Sequence, residues 1–194
     1  MPKNLQKLEK FGLLFVIVLS ALLTTLRYVT KSSVVGIFFG SVNDSIWEHC
    51  KLLLLAYIIW GMIELLSLKP SFKRFMVSKI LSLYILGIIY ILFCLMISPI
   101  FNDNYYFPEF LVGVISSVLA FWASMFLYSS DFDLAKLFMP CFFLFLLFVA
   151  LYCTLTPFPM QCYIFIDRST GMYGIIPENI DMGDIALDTM YNLR

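Results

Sequence analysis

The stretch Ser41-Val42-Asn43-Asp44-Ser45-Ile46-Trp47-Glu48-His49-Cys50-Lys51 runs without a break into LLLLAYIIWGMIELL at residues 52–66. The second part is almost wholly apolar, with Glu64 as its single charge. An apolar block of this length, entered through a polar first turn, reads as a helix that crosses a bilayer. Ser41-x-x-Asp44 has the form of a capping box, which starts the helix near residue 44 and ends it near 66. Counted from Ser41 it would be about 38 Å long at 1.5 Å per residue, longer than the roughly 30 Å hydrocarbon layer. The polar turns are therefore expected at, or just inside, one interface.

The pattern repeats along the chain. Of 194 residues, 61% are hydrophobic and 13% charged, and the formal net charge is zero. Apolar runs of spanning length recur, where a soluble domain would alternate polar and apolar faces. The expected fold class is all-α, a polytopic membrane bundle of five helices at about 11–29, 44–66, 80–98, 109–128 and 136–155. Residues 1–156 form the bundle, and 157–194 form a tail packed on its outer face. The basic start before the first run resembles a signal peptide, but the run is too long for one and lacks an A-x-A site, so it reads as an uncleaved span.

Lys and Arg set orientation. Lys3, Lys7 and Lys10 precede the first span, Lys69, Lys73, Arg74 and Lys79 are assigned to the loop after the second, and Lys136 lies before the fifth. With five spans these fall on one side, which places the N-terminus in and the tail out, in the cell membrane. The basic residues sit near span ends and not along a groove, so nucleic acid is excluded as a partner. The bilayer is the expected partner.

The polar opening stretch holds the only histidine of the chain. At about 100° per residue, Asp44, Trp47, Glu48 and Lys51 share one helix face, while His49 looks elsewhere. An ionisable cluster at a membrane span is a functional candidate by default. The candidate ligand-binding residues are Asn43, Asp44, Trp47, Glu48, His49, Lys51, Asp103, Asp167 and Tyr173. Three readings compete. One binds or transports a small polar ligand, an ion or a lipid headgroup. The second is a membrane-embedded hydrolase or transferase with Glu48 or His49 as general base. The third is structural: Lys51 offsets Glu48, Asp44 caps the helix and Trp47 anchors the interface. Arg27 either snorkels to the headgroups or pairs with Asp44 or Glu48.

Known chemistry motifs are missing: there is no HExxH, GxSxG or P-loop, and one histidine does not make a zinc site. No metal or other cofactor is assigned. The five cysteines lack CxxC spacing, and a disulfide among Cys50, Cys153 and Cys162 stays open. Glu64 is expected to pair with one of the basic residues that follow it. The small residues Gly113, Ser116, Ser117, Ala120 and Ser124 form a close-packing face.

SVNDSIWEHCKLL, together with Asp167-x-x-Thr170-Gly171-x-Tyr173-Gly174-Ile175 after Thr156-Pro157, resembles an uncharacterised family of small polytopic bacterial membrane proteins that carry a domain of unknown function. The resemblance lies in an N-[DE]-S-x-W-E-H motif opening a span and a T-G-x-Y-G-I motif near the C-terminus. Asp44 stands where many members have Glu, and residues 160–163 depart from the proline-rich pattern expected there. The resemblance implies no activity. It implies that Asn43, Asp44, Trp47, Glu48 and His49, with Thr170, Gly171, Tyr173 and Gly174, belong to one motif set.

Overall fold

The computed structural model describes residues 3–30, 33–101 and 106–175, except for the side chains of residues 3, 4, 6 and 27–30. Within them the chain is helical, with α1 Lys3–Thr30, α2 Val34–Phe39, α3 Ile46–Leu68, α4 Phe72–Ile97, α5 Tyr106–Ser129 and α6 Phe138–Leu155. Five of these, all but α2, are long and apolar enough to cross a membrane. The protein is a multi-pass membrane protein. Asp103 and the acidic end of the tail lie outside the described residues, as does the side chain of Arg27.

Local chemistry sets the ends. The helix of the opening stretch begins at Ile46, two residues later than expected, because Ser45 and not Ser41 is its cap. The Ser45 hydroxyl accepts the Glu48 amide at 3.3 Å. Lys69 ends α3 in a left-handed conformation (φ 44°), its amide on the Leu65 carbonyl, with Pro70 next in line to forbid another turn. The connection from α3 to α4 is therefore only residues 69–71. Lys73, Arg74 and Lys79 belong to α4 and not to a loop, which corrects the assignment made from charge alone.

Helices α3, α4 and α5 form the centre, with α1 packed on α3 and α5, and α6 packed mainly on α4. The core is built from Cys50, Leu53, Leu54, Tyr57, Leu83, Leu86, Tyr90 and Phe121. Apolar side chains such as Leu14, Leu22, Ile88, Trp122, Phe143 and Leu147 point outward, as a lipid-facing surface requires. Gly12 brings α1 close to its neighbours: a Cβ there would lie 2.1 Å from Trp60 Nε1 and 2.7 Å from a Phe121 ring carbon.

Because successive spans alternate in direction, one end of the bundle collects the starts of α3 and α5 and the ends of α4 and α6. The tail after α6 folds back over this end. The other end collects the start of α1 and the α3–α4 turn. These are called the tail end and the amino end below.

Candidate functional site

Glu48 and Lys51 are one helical turn apart and fully buried. Lys51 Nζ contacts Glu48 Oε2 at 2.6 Å, donates to the Ile37 carbonyl at 3.1 Å and reaches the Thr156 hydroxyl at 3.1 Å. Glu48 also accepts the Val42 amide at 3.0 Å and the Thr156 hydroxyl at 2.8 Å. All three ammonium donors are used and the charges cancel. This group ties α2, α3 and the end of α6 together. It offers no face to a ligand.

His49 turns away from Glu48, as the helical angle between neighbours requires, and meets α5. Its Nδ1 lies 3.2 Å from Glu109 Oε1, and its Nε2 lies 3.9 Å from Asp44 Oδ1. Glu109 also accepts the Tyr90 hydroxyl at 2.7 Å and Arg168 Nη1 at 2.9 Å. The Tyr106 hydroxyl donates to Asp44 at 3.3 Å. Asp44 precedes the first helical turn, so it joins His49 and not Glu48; this corrects the face drawn from an earlier helix start.

These groups form the polar end of a cavity of about 410 Å³ between α1, α3, α4 and α5. Asp44, His49, Tyr90, Tyr106 and Glu109 line it, and Ile17, Leu52, Leu53, Phe110 and Val114 supply an apolar wall. Carboxylates beside an imidazole, backed by one arginine, can hold an ammonium group, a small monovalent cation or a proton. Among the described residues no group of three His, Cys, Asp or Glu is placed to hold a metal ion.

The tail motif acts as a clasp. Asp167 is buried and accepts the Asp44 amide at 2.7 Å through one oxygen. Its other oxygen accepts the Ser169 hydroxyl at 2.6 Å, the Thr170 hydroxyl at 2.6 Å and the Thr170 amide at 2.8 Å. Burial pushes the Asp167 carboxyl up, but these hydrogen bonds outweigh it and hold it below the usual carboxylate range. Asn43 donates to the Gly174 carbonyl at 2.8 Å and accepts the Ser45 amide at 3.0 Å. Gly174 sits at φ +75°, with Pro159 packed against it, which suits glycine. Trp47 is not an interface anchor: it is buried beneath Phe165 at 5.5 Å between ring centroids.

Of the nine residues singled out from sequence, Asp44 and His49 therefore line the cavity. Asn43, Trp47 and Asp167 hold the tail, and Glu48 and Lys51 form the closed pair. Tyr173 is 38% exposed, with its backbone bridged to Ile166 and no place in the cavity lining. All five cysteines are free, Cys50 buried and Cys153 and Cys162 exposed.

Sequence reasoning missed Glu109, Tyr90 and Arg168 as site residues. Glu109 lies four residues before Gly113, on the same face as the small residues of α5, and that spacing was the available signal. No protein-family model, curated protein or solved structure matches the chain.

Proposed function

We propose that the chain binds, and in the fuller reading transports, a small polar ligand, an ion or a lipid headgroup at the tail-end cavity. The observation that carries this is the placement of Asp44, His49 and Glu109 together at one end of a 410 Å³ cavity whose other wall is apolar. A head that carries positive charge suits the two carboxylates, and an apolar remainder suits the α1–α5 wall. A hydrolase or transferase using Glu48 is disfavoured by geometry, since Lys51, Thr156 and Val42 occupy that carboxylate.

We further read the N-terminus as cytoplasmic and the cavity as opening on the outer face of a bacterial cell membrane. Exposed Lys69, Lys73 and Lys136 lie at the amino end, whereas Lys51 and Arg168 at the tail end are drawn inward onto glutamates. A reporter fused after Arg194 that behaves as cytoplasmic overturns this orientation.

The binding reading is tested by thermal unfolding of the purified chain against choline, ethanolamine, sodium and potassium. A ligand at 100 times its Kd adds about 2.7 kcal/mol to a protein that binds it only when folded. The stabilisation should appear in the wild type and fall in Asp44→Asn, which neutralises one of the two carboxylates at the cavity. Equal shifts in both proteins place binding elsewhere and sink the reading.

A further inference from the structure

The amino end holds a second buried ionic group, made by three spans. Glu9 of α1 is 2% exposed, Glu64 of α3 0% and Lys79 of α4 7%. Lys79 Nζ lies 2.9 Å from Glu9 Oε1 and 2.6 Å from Glu64 Oε2. The Trp60 indole donates to Glu64 Oε1 at 2.9 Å, and the Ser124 hydroxyl donates to Glu9 Oε1 at 2.9 Å. The rings of Tyr57, Phe75 and Phe121 stand 5.1, 5.6 and 5.1 Å from the ammonium. The Tyr57 hydroxyl of α3, buried and with no hydrogen-bond partner among the described residues, is a further titratable group that faces Lys79, Glu9 and Glu64.

The stoichiometry does not close. Two carboxylates face one ammonium, so full ionisation leaves a net charge of −1 inside the span region, where an uncompensated charge is strongly disfavoured. Like charges that share one counter-ion also raise each other's proton affinity. Independently, Glu9 Oε2 is buried and has no hydrogen-bond partner among the described residues. A bare carboxylate oxygen is expensive there, and a protonated one much less so. Lys79 also lines a cavity of about 270 Å³ between α3, α4 and α6, whose other walls are apolar and supply no further partner for the charges.

We propose that Glu9, Glu64 and Lys79 form a proton-binding site in which the two glutamates together hold one proton. The bound species is one proton per chain. It is taken up as a carboxylate oxygen becomes a carboxyl, with Lys79 remaining an ammonium throughout. The site is separate from the tail-end cavity and does not depend on a ligand being found there.

The test is infrared spectroscopy of the full chain in lipid nanodiscs at neutral pH, with glutamate side chains isotopically labelled to separate them from aspartate. The wild type should show one protonated glutamate per chain, with a carbonyl stretch that shifts in heavy water. Glu9→Gln and Glu64→Gln should each abolish it, because the remaining carboxylate then pairs one-to-one with Lys79. Lys79→Met should double it. The wild-type spectrum alone decides the matter if the variants fail to fold: no protonated glutamate at neutral pH overturns the proposal. So does a band untouched by both glutamine variants, which places the proton elsewhere. A band that disappears on adding sodium also overturns it, since the site then takes a metal cation.

Discussion

Lys51 and Lys79 are buried at opposite ends of the same bundle, and each touches glutamate at 2.6 Å. Their surroundings differ in one respect. Lys51 meets one carboxylate, a carbonyl and a hydroxyl, and every donor and acceptor is matched. Lys79 meets two carboxylates and three aromatic rings, and a carboxylate oxygen is left over. The first is a closed joint that fixes α2 and α6 to α3. The second has one carboxylate more than its single ammonium balances. Intramembrane charge is thus a poor guide to function by itself, and the count of partners is the better one.

The largest effect should come from breaking these two clusters. Removing one partner of a buried ion pair typically costs about 3–5 kcal/mol. Lys79→Met should reach that range, since both glutamates must then be protonated at neutral pH, far above the unfolded value of about 4.3. Lys51→Met should cost less, because the Val42 amide and the Thr156 hydroxyl still hold Glu48. Reversible unfolding in mixed detergent measures both. A Lys51 variant that proves the less stable of the two inverts the comparison.

The next effect belongs to Gly12, which sets how closely α1 carries Glu9 to Lys79. Added bulk in a packed core costs about 1–3 kcal/mol. Gly12→Ala should lose that much, since its Cβ meets Trp60, and Trp60 in turn donates to Glu64. The tail-end cluster should be untouched, so ligand-dependent stabilisation should persist. Its loss together with stability would show the two ends to be one cooperative unit.

Sequence made the two clusters unequally legible. The Glu48–Lys51 pair follows from an i, i+3 spacing on an evident helix. The Lys79 cluster joins residues 9, 64 and 79, and only the pairing of Glu64 with a following basic residue was foreseen. Glu9 was hidden because hydropathy starts the first span after the last charge. In the structure α1 begins at Lys3, and Leu5, Glu9, Gly12 and Val16 lie on one buried face. That i, i+4, i+7, i+11 spacing was present, but the lysines around it, Lys7 and Lys10, read as the basic flank before the span. The five spans were legible because each is a continuous apolar run. Contacts such as His49 with Glu109, sixty residues apart, depend on which helices become neighbours, and helical period does not contain that.

A smaller effect, and one with a pH signature, is expected at the tail clasp. Asp167 has its carboxyl held below its ordinary value, so its contribution is fully present above the unfolded value of about 3.9 and is lost as pH falls through the folded value. Hydrogen exchange of residues 163–175, corrected for intrinsic rate, should rise at acid pH. Asp167→Asn should reproduce the rise at neutral pH, at about 1.5–3 kcal/mol for hydrogen bonds to a charged group. Unchanged protection in that variant would mean that Asn43 and Trp47 alone hold the tail.

The smallest change in stability should accompany Asp44→Asn, and it gives the sharpest separation of joint from site. The Asp44 backbone amide, not its side chain, holds Asp167, so the clasp survives the substitution. The side chain lies at the cavity, 3.9 Å from His49 Nε2, and removing its charge leaves packing intact. Substitutions of this kind stay within about 0.5 kcal/mol. Stabilisation by a bound cation should nevertheless fall, because one of the two carboxylates facing the cavity is neutralised. Glu48→Gln is the counterpart: it should weaken folding, through Lys51 and Thr156, and leave affinity unchanged in the molecules that fold. If instead Glu48→Gln removes binding while Asp44→Asn does not, the ligand sits at the closed pair, and the division between a structural and a functional half of the opening stretch is wrong.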